Sequence, residues 1–342
     1  MREFELALVC SPFSSASLIS RGIHTFMHHS GGMNAVSKNR YRGRTRRSWR
    51  FNVTRLLWDL DVSNSAQTVV YVFISTLMLV LLVTDAAAQN TKLRNVELCN
   101  GGDQISADSQ IIGCAALIDG GLENSQTLVI AYNNRGDAYV SKGEFQLAIE
   151  DFNESIKLNP NSARAFNNRG VAYRRKGQPD RAIEDFDAAL KIDPDFAKAL
   201  ANRAETYQIK GDYGRALKDF ADAIRLQPEL KGVRNELCWI RAVVGELKEA
   251  LGDCNEAIRL EPNVAAAFDS RGFTHLKLGE LELAISDFNM ALRLDPKLAT
   301  AQYGRGLAKL NKGDLANGNA DIAAAKTVDQ NIAAQFARYG LH

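Results

Sequence analysis

Five of the chain's seven prolines, Pro160, Pro194, Pro228, Pro262 and Pro296, stand 34 residues apart without a slip. A fixed period of that length is the signature of a repeat array, in which one short unit is stacked on copies of itself. The same register carries Gly143, Gly177, Gly211, Gly245, Gly279 and Gly313, then Ala148, Ala182, Ala216, Ala250 and Ala284. It also carries Phe152, Phe186, Phe220 and Phe288, with Cys254 and Ile322 at the same place. No insertion interrupts it, and the fold class follows from it before any other feature is weighed.

Taking residues 129–162 as the unit puts Tyr132, Gly136, Tyr139, Ala148, Phe152, Ile156 and Pro160 at positions 4, 8, 11, 20, 24, 28 and 32. Those intervals mark one apolar face on each of two helices. Gly143 falls where the first helix must stop, because glycine takes the left-handed conformation that lets the last carbonyls be capped. An acidic or amide residue follows it in every repeat: Glu144, Gln178, Asp212, Glu246, Glu280 and Asp314. Such a side chain is expected to accept from the orphan amides that open the second helix. Pro160 then ends that helix, since it lacks an amide hydrogen and disfavours the helical state just before it.

This helix-turn-helix, with an aromatic at 4, Gly at 8, Tyr at 11, Ala at 20, Phe at 24 and Pro at 32, closely resembles the tetratricopeptide repeat. The resemblance implies an all-α solenoid, a right-handed superhelix of helix-turn-helix repeats. It covers residues 129–332 as six units, 129–162, 163–196, 197–230, 231–264, 265–298 and 299–332. The third unit has Ala204 for the glycine, and the sixth is worn, with Gly318 for the alanine and Gln330 for the proline. A short apolar helix over 332–339, with 333–342 as a capping segment, supplies the terminal cap a solenoid needs.

Upstream, residues 69–83 form a largely apolar run followed by Ala86, Ala87 and Ala88. An apolar core of that length with small residues behind it reads as a secretory signal over 68–88, whose cleavage leaves Gln89 first. A spanning helix wants about 20 apolar residues, so the run is short for one. Residues 1–67 are too long for an ordinary n-region, and they hold ten Lys or Arg against four Asp or Glu. Three readings stay open. The start is placed too early before a cleaved signal, and 1–67 is disordered or no part of the real protein. Or 68–88 is an uncleaved anchor in contact with the membrane, its basic side held in the cytoplasm. Or 1–67 is a basic cytoplasmic tail that contacts nucleic acid or anionic lipid. The first two place the repeats outside the cytoplasm, either periplasmic or exported, or on a single-pass inner-membrane anchor. That arrangement looks like exported bacterial tetratricopeptide proteins of the alphaproteobacterial type.

Ten basic and five acidic residues precede Gln89; taking them from totals of 42 and 40 leaves 32 and 35, a net of −3. A body so near neutral is not expected to project a field for nucleic acid. Setting Cys10 aside with the leader leaves Cys99, Cys114, Cys238 and Cys254, an even number that suggests disulfides in an oxidising compartment. Cys238 and Cys254 occupy positions 8 and 24 of the fourth unit, where its two helices meet. A degenerate unit over 89–128, with four extra residues allowed before Val129, puts Cys99 and Cys114 at positions 9 and 24. The expected pairs are Cys99 with Cys114 and Cys238 with Cys254, with buried, reduced cysteine as the alternative.

Position 7 is Arg in five units (Arg135, Arg169, Arg203, Arg271, Arg305), and position 23 is Asp in all six, from Asp151 to Asp321. Sixteen residues apart on facing helices, they are expected to meet as bidentate pairs along the seam, as scaffold and not chemistry. Leu237 replaces the arginine in the fourth unit, where Arg241 is the expected partner of Asp253.

In the family this chain resembles, first-helix positions 2, 5, 6, 9, 12 and 13 line the concave face. Carried onto this sequence, they give Asn134, Asn168 and Asn202 at position 6 and Asn133, Asn167 and Asn235 at position 5. A carboxamide column at one step per repeat can donate and accept to an extended peptide backbone. Arg164, Lys198, Arg174 and Arg175 bias this half toward acidic segments. Trp239, Phe273 and Tyr303 turn the other half apolar, as partner-docking surfaces commonly are. Against this, Asn-Asn-Arg-Gly can be mere local consensus, and the terminal helix can cover the apolar residues.

Catalysis has little to stand on. Beyond Gln89 the only histidines are His275 and His342, neither with a metal-spaced partner. No phosphate-cradling loop, nucleophile elbow or HExxH motif occurs. The expectation is a non-enzymatic scaffold or adaptor of the bacterial cell envelope that holds a peptide segment or partner protein, with no cofactor, metal or small-molecule substrate. The alternative is a membrane-anchored scaffold with the basic cytoplasmic tail.

Overall fold

The computed structural model describes residues 64–121 and 124–341, so the basic segment up to residue 63 lies outside it. The described residues form fifteen helices and no strand. α1 (Asn64–Asn100) and α2 (Ala107–Asp119) come first. Six hairpins follow: α3 (Ser125–Lys142) with α4 (Phe145–Leu158), α5 (Ala163–Arg175) with α6 (Pro179–Ile192), and α7 (Ala197–Ile209) with α8 (Tyr213–Leu226). Then come α9 (Val233–Val244) with α10 (Leu247–Leu260), α11 (Ala265–Leu278) with α12 (Leu281–Leu294), and α13 (Ala299–Asn311) with α14 (Leu315–Val328). α15 (Ile332–Arg338) closes the chain.

α1 runs on unbroken through Ala88 and Gln89, well past the apolar run. Its sequence has no Gly or Pro to stop it, and the alanines that suit a cleavage site are also strong helix formers. Within it, Thr68–Asn100 contains an 18-residue window of mean hydropathy 2.2, none of it buried. It is long and apolar enough to cross a membrane, and a signal sequence has the same character.

The hairpin core is built where position 24 meets position 8. The rings of Phe152, Phe186 and Phe288 are fully buried, and they lie on the bare backbone of the first helix. A Cβ on Gly136 would come within 2.6 Å of Phe152, and one on Gly170 within 2.7 Å of Phe186. At Gly136, Gly170 and Gly272 the ring thus occupies the space a side chain would need, whereas in the third hairpin Ala204 stands at position 8 and Phe220 is buried all the same. In the fourth hairpin Cys238 and Cys254, both fully buried, take these two places. The turn glycines Gly143, Gly177, Gly211, Gly245, Gly279 and Gly313 all have φ between 76° and 95°, the left-handed conformation expected of them.

The residue after that glycine behaves less uniformly than the sequence suggests. Asp212 and Asp314 cap, accepting from the amides of Arg215 and Asn317. Glu144, Gln178, Glu246 and Glu280 make no side-chain cap bond. The extra methylene carries their polar group past the amide it was expected to meet, in line with the preference for short side chains at this position.

The seam pairs form in each of the five repeats that have the arginine. Nε and Nη2 donate to both oxygens of the aspartate sixteen residues on, at 2.6–2.9 Å. The guanidinium also reaches backwards, which the sequence reading missed. Nη1 of Arg169, Arg203, Arg271 and Arg305 donates to Asn153, Asp187, Asn255 and Asn289 of the preceding repeat, at 2.6–2.9 Å. Each arginine thus joins its own hairpin and ties it to its neighbour. The fourth repeat shows the logic by omission: Leu237 has no donor, and the residue that would accept, at 221, is alanine. There Asp253 takes Arg241 at 2.5 Å, as expected, and Arg234 at 3.2 Å. Burial pushes the Asp151 and Asp185 carboxyls up in spite of their arginines. At Asp321 burial acts the same way, but hydrogen bonds from Arg305 and Lys309 outweigh it and hold the carboxyl below its ordinary value.

First helices touch the first helices of the next repeat all along α3, α5, α7, α9, α11 and α13, whereas second helices pack only on first helices of their own and the following hairpin. The row of first helices is therefore the inner side of the array. α15 folds back against α13 and α14, bringing Phe336 onto Tyr303 of that inner side.

Candidate functional site

In the N-terminal half, a band of polar bonds runs from one first helix to the next. Arg164 of α5 donates to Asn134 at 3.4 Å and to Asp137 at 3.2 Å, both on α3. Asn168 donates to Asp137 at 2.8 Å, Asn167 to Asn168 at 3.0 Å, and Asn202 of α7 to Asn167 at 2.9 Å. The position 6 asparagines thus follow one another at one step per repeat, held by their neighbours. A carboxamide offers two N–H donors and two lone pairs, so these bonds leave capacity unused; Asn168 and Asn202 are half-buried, whereas Asn134 and Asn167 are buried, at 8% and 6% exposed.

Asn133 lies elsewhere than expected. It is 4% exposed, and its amide donates to the Val129 carbonyl at 3.0 Å and to Ser155 of α4 at 2.5 Å. Ser155 draws it into the seam of its hairpin and off the inner wall. Asn235, half-buried on α9, has a buried carbonyl oxygen with no hydrogen-bond partner among the described residues.

Two of the four basic residues of this half are held in ion pairs. Arg164 pairs with Asp137 and Arg174 with Glu205, while Lys198 and Arg175 are exposed. The sequence reading weighed the cations at positions 2, 12 and 13 and passed over the acids at position 9 of the same row. Two of the four expected anchors for an acidic segment are thereby neutralised. Burial pushes the Asp137 and Glu236 carboxyls up, although Arg164 and Gln208 respectively hydrogen-bond them.

In the C-terminal half the first helices and α15 enclose a pocket of about 170 Å³ lined by Trp239, Asp269, Ser270, Phe273, Thr300, Gln335, Phe336 and Tyr339. Phe273 and Phe336 are buried, Trp239 and Tyr339 half-buried. The Trp239 ring lies 5.4 Å from Phe273 and 4.8 Å, edge-on, from Tyr339. Tyr303, 7% exposed, sits beneath Phe336 at 4.8 Å and is not open to a ligand. The terminal helix therefore covers part of the apolar surface and shapes the remainder. Burial pushes the Asp269 carboxyl up to about 7, while Thr300, donating at 2.5 Å, pulls the other way. Sequence reasoning found Trp239 and Phe273 but missed Asp269, Phe336 and Tyr339. Asp269 carried a signal, being the one acid at position 5.

The sulfurs of Cys99 and Cys114 lie 2.08 Å apart and those of Cys238 and Cys254 1.96 Å apart, both pairs buried. His275 is held by Glu280 at 2.6 Å. Among the described residues no group of three His, Cys, Asp or Glu is placed to hold a metal.

No curated protein matches the chain in sequence. Three family models, all describing tetratricopeptide repeats, match residues 133–197, 186–218 and 274–313. A tetratricopeptide repeat protein from Parabacteroides merdae is similar over 74% of this chain and 98% of its own, with a TM-score of 0.54 and 17% identity. The pilF protein of Pseudomonas aeruginosa is similar over 63% and 99%, with a TM-score of 0.54 and 18% identity. At such identities the likeness is one of fold. The 34-residue period, the glycine–phenylalanine hairpins, the inner row of first helices and these matches agree: the chain is a tetratricopeptide-repeat protein.

Proposed function

We propose that this chain is a non-catalytic adaptor of the bacterial cell envelope whose inner face holds an extended segment of a partner protein. The observation that carries the reading is the continuity of that face. Asn134, Asn168 and Asn202 lead along the first helices toward a pocket open at Trp239 and Asp269. Carboxamides of this kind hydrogen-bond a peptide backbone without regard to its side chains, and the pocket adds a place for one anchoring side chain. With Arg164 and Arg174 paired to acids, only Lys198 and Arg175 are left to favour an acidic partner. Replacing Asn134, Asn168 and Asn202 together by Ala is expected to weaken partner capture at least tenfold with helicity unchanged. Unchanged capture in a pull-down from an envelope extract rejects the role given to the carboxamide column.

The envelope location rests on the apolar helix and on the two cysteine pairs, which would form disulfides in an oxidising compartment. Each bond closes a short loop and contributes on the order of 3 kcal/mol in the entropic account. Intact mass of the protein purified without reductant tests this, with and without alkylation. Four unreactive cysteines are expected, in a chain that begins near Gln89 if the signal is cleaved, or beside a reactive Cys10 in a chain that retains residues 1–67 if it anchors. Four free thiols after denaturation contradict export.

A further inference from the structure

Asp269 is the odd carboxylate of the inner face. Asp137 is paired with Arg164, Glu205 with Arg174, and Glu236 with Gln208. Asp269 is set among aromatic rings with no cation beside it among the described residues; its hydrogen bond comes from Thr300. A carboxylate desolvated by burial is costly unless a positive charge compensates it, and that cost is what raises its proton affinity to about 7. The rings around it are suited to the same charge. Trp239 and Tyr339 stand nearly perpendicular at 4.8 Å, and both are partly open. Phe273 closes the back, with the chain's own Lys277 5.8 Å from its ring centroid. Lys277 is bound to the carbonyls of Ala242 and Val243 at 2.8 and 3.2 Å, which fixes it at the end of α9 and keeps it from serving Asp269.

Aromatic faces attract an ammonium group through their quadrupole, most strongly when it is desolvated, and a carboxylate at one side adds direction. We propose that this pocket takes the ammonium of a lysine side chain carried by the segment in the groove, with Trp239 and Tyr339 as walls and Asp269 as counter-charge. This rests on the groove-binding reading given above. It assigns the anchor a charge opposite to the one that the surface arginines first suggest.

The test uses the full chain and a labelled ten-residue Gly/Ser peptide with one central lysine, followed by fluorescence polarisation. Counterpart peptides carry glutamate or the uncharged isostere norleucine. The lysine peptide is expected to bind at least tenfold more tightly than either counterpart, and millimolar tetramethylammonium is expected to compete with it. Asp269→Asn should reduce the preference over norleucine to less than threefold, and Trp239→Leu, which keeps the carboxylate, should do the same, both with an unaltered circular dichroism spectrum. Equal binding of lysine and norleucine peptides, or a lysine preference that survives in both variants, overturns the assignment. The two readings fail separately. If the triple asparagine variant weakens every peptide while no lysine preference exists, the groove stands and the pocket assignment falls. If the preference exists but the asparagine variant binds normally, the reverse holds.

Discussion

Phe186→Ala is expected to destabilise the repeat array by about 3–5 kcal/mol, the range for removing a fully buried aromatic ring from a core that cannot close over the loss. The ring is fully buried, and the space beside it is bounded by the backbone of α5 at Gly170, where a Cβ would lie 2.7 Å from it. A helix backbone held by its own hydrogen bonds cannot move in to fill the gap, so most of the cavity persists. Because a solenoid is stabilised by each repeat and its interfaces with immediate neighbours, the weakened second hairpin uncouples α3 and α4 from the repeats beyond it. Urea denaturation followed by circular dichroism should show the loss together with a broadened transition. Leu147→Ala, at a residue 42% exposed on the neighbouring hairpin, should change stability by less than about 0.5 kcal/mol. A loss below about 1 kcal/mol for Phe186→Ala contradicts the packing described.

Arg203→Ala is expected to cost about 3 kcal/mol, the scale for removing one partner of a largely buried pair and leaving the other charge uncompensated. The side chain donates to both oxygens of Asp219, a residue 4% exposed, and to Asp187 of the preceding repeat. Its loss leaves a buried carboxylate at the seam and releases the tie between two hairpins. The informative comparison is the double variant Arg203→Leu with Asp219→Leu. Removing both charges removes the uncompensated one as well, so the double variant should be less destabilised than Arg203→Ala alone. If the double variant is the worse of the two, the pair stabilises the array in its own right, and the seam arginines have been misjudged as chiefly a matter of mutual compensation.

These two changes fall on parts of the molecule that the sequence makes plain, and the reason is periodicity. An element that recurs every 34 residues is sampled six times, so Gly136 with Phe152 and Arg135 with Asp151 stand out as pairs before any coordinate is known. Contacts between repeats are harder to read. The back-donation from Arg169 to Asn153 spans the same sixteen residues as its seam bond but in the other direction, and nothing local marks it. Its signature is the joint absence at Leu237 and Ala221, legible only once the geometry is in view. Capping failed for Glu144 and Glu280 because charge was weighed and reach was not. The candidate groove was legible along α3, α5 and α7, where the inner-face positions repeat. It was poorly legible beyond α9, because the pocket there is completed by Phe336 and Tyr339, which belong to no repeat and whose direction of return no period specifies. The apolar run and the helix that contains it end at different places for a related reason: hydropathy marks residues 69–83, while the backbone, lacking a Gly or Pro, continues to Asn100.

The central claim is that a partner occupies the inner face formed by the first helices. Site-specific photo-crosslinking in the native cell measures it most directly, with a benzoylphenylalanine placed at Trp239, at Asn168, or at Leu283, which is 53% exposed on the second helix α12. The account predicts one shared crosslinked species from positions 239 and 168 and none from 283. Crosslinking confined to position 283, or unrelated species at 239 and 168, would contradict it.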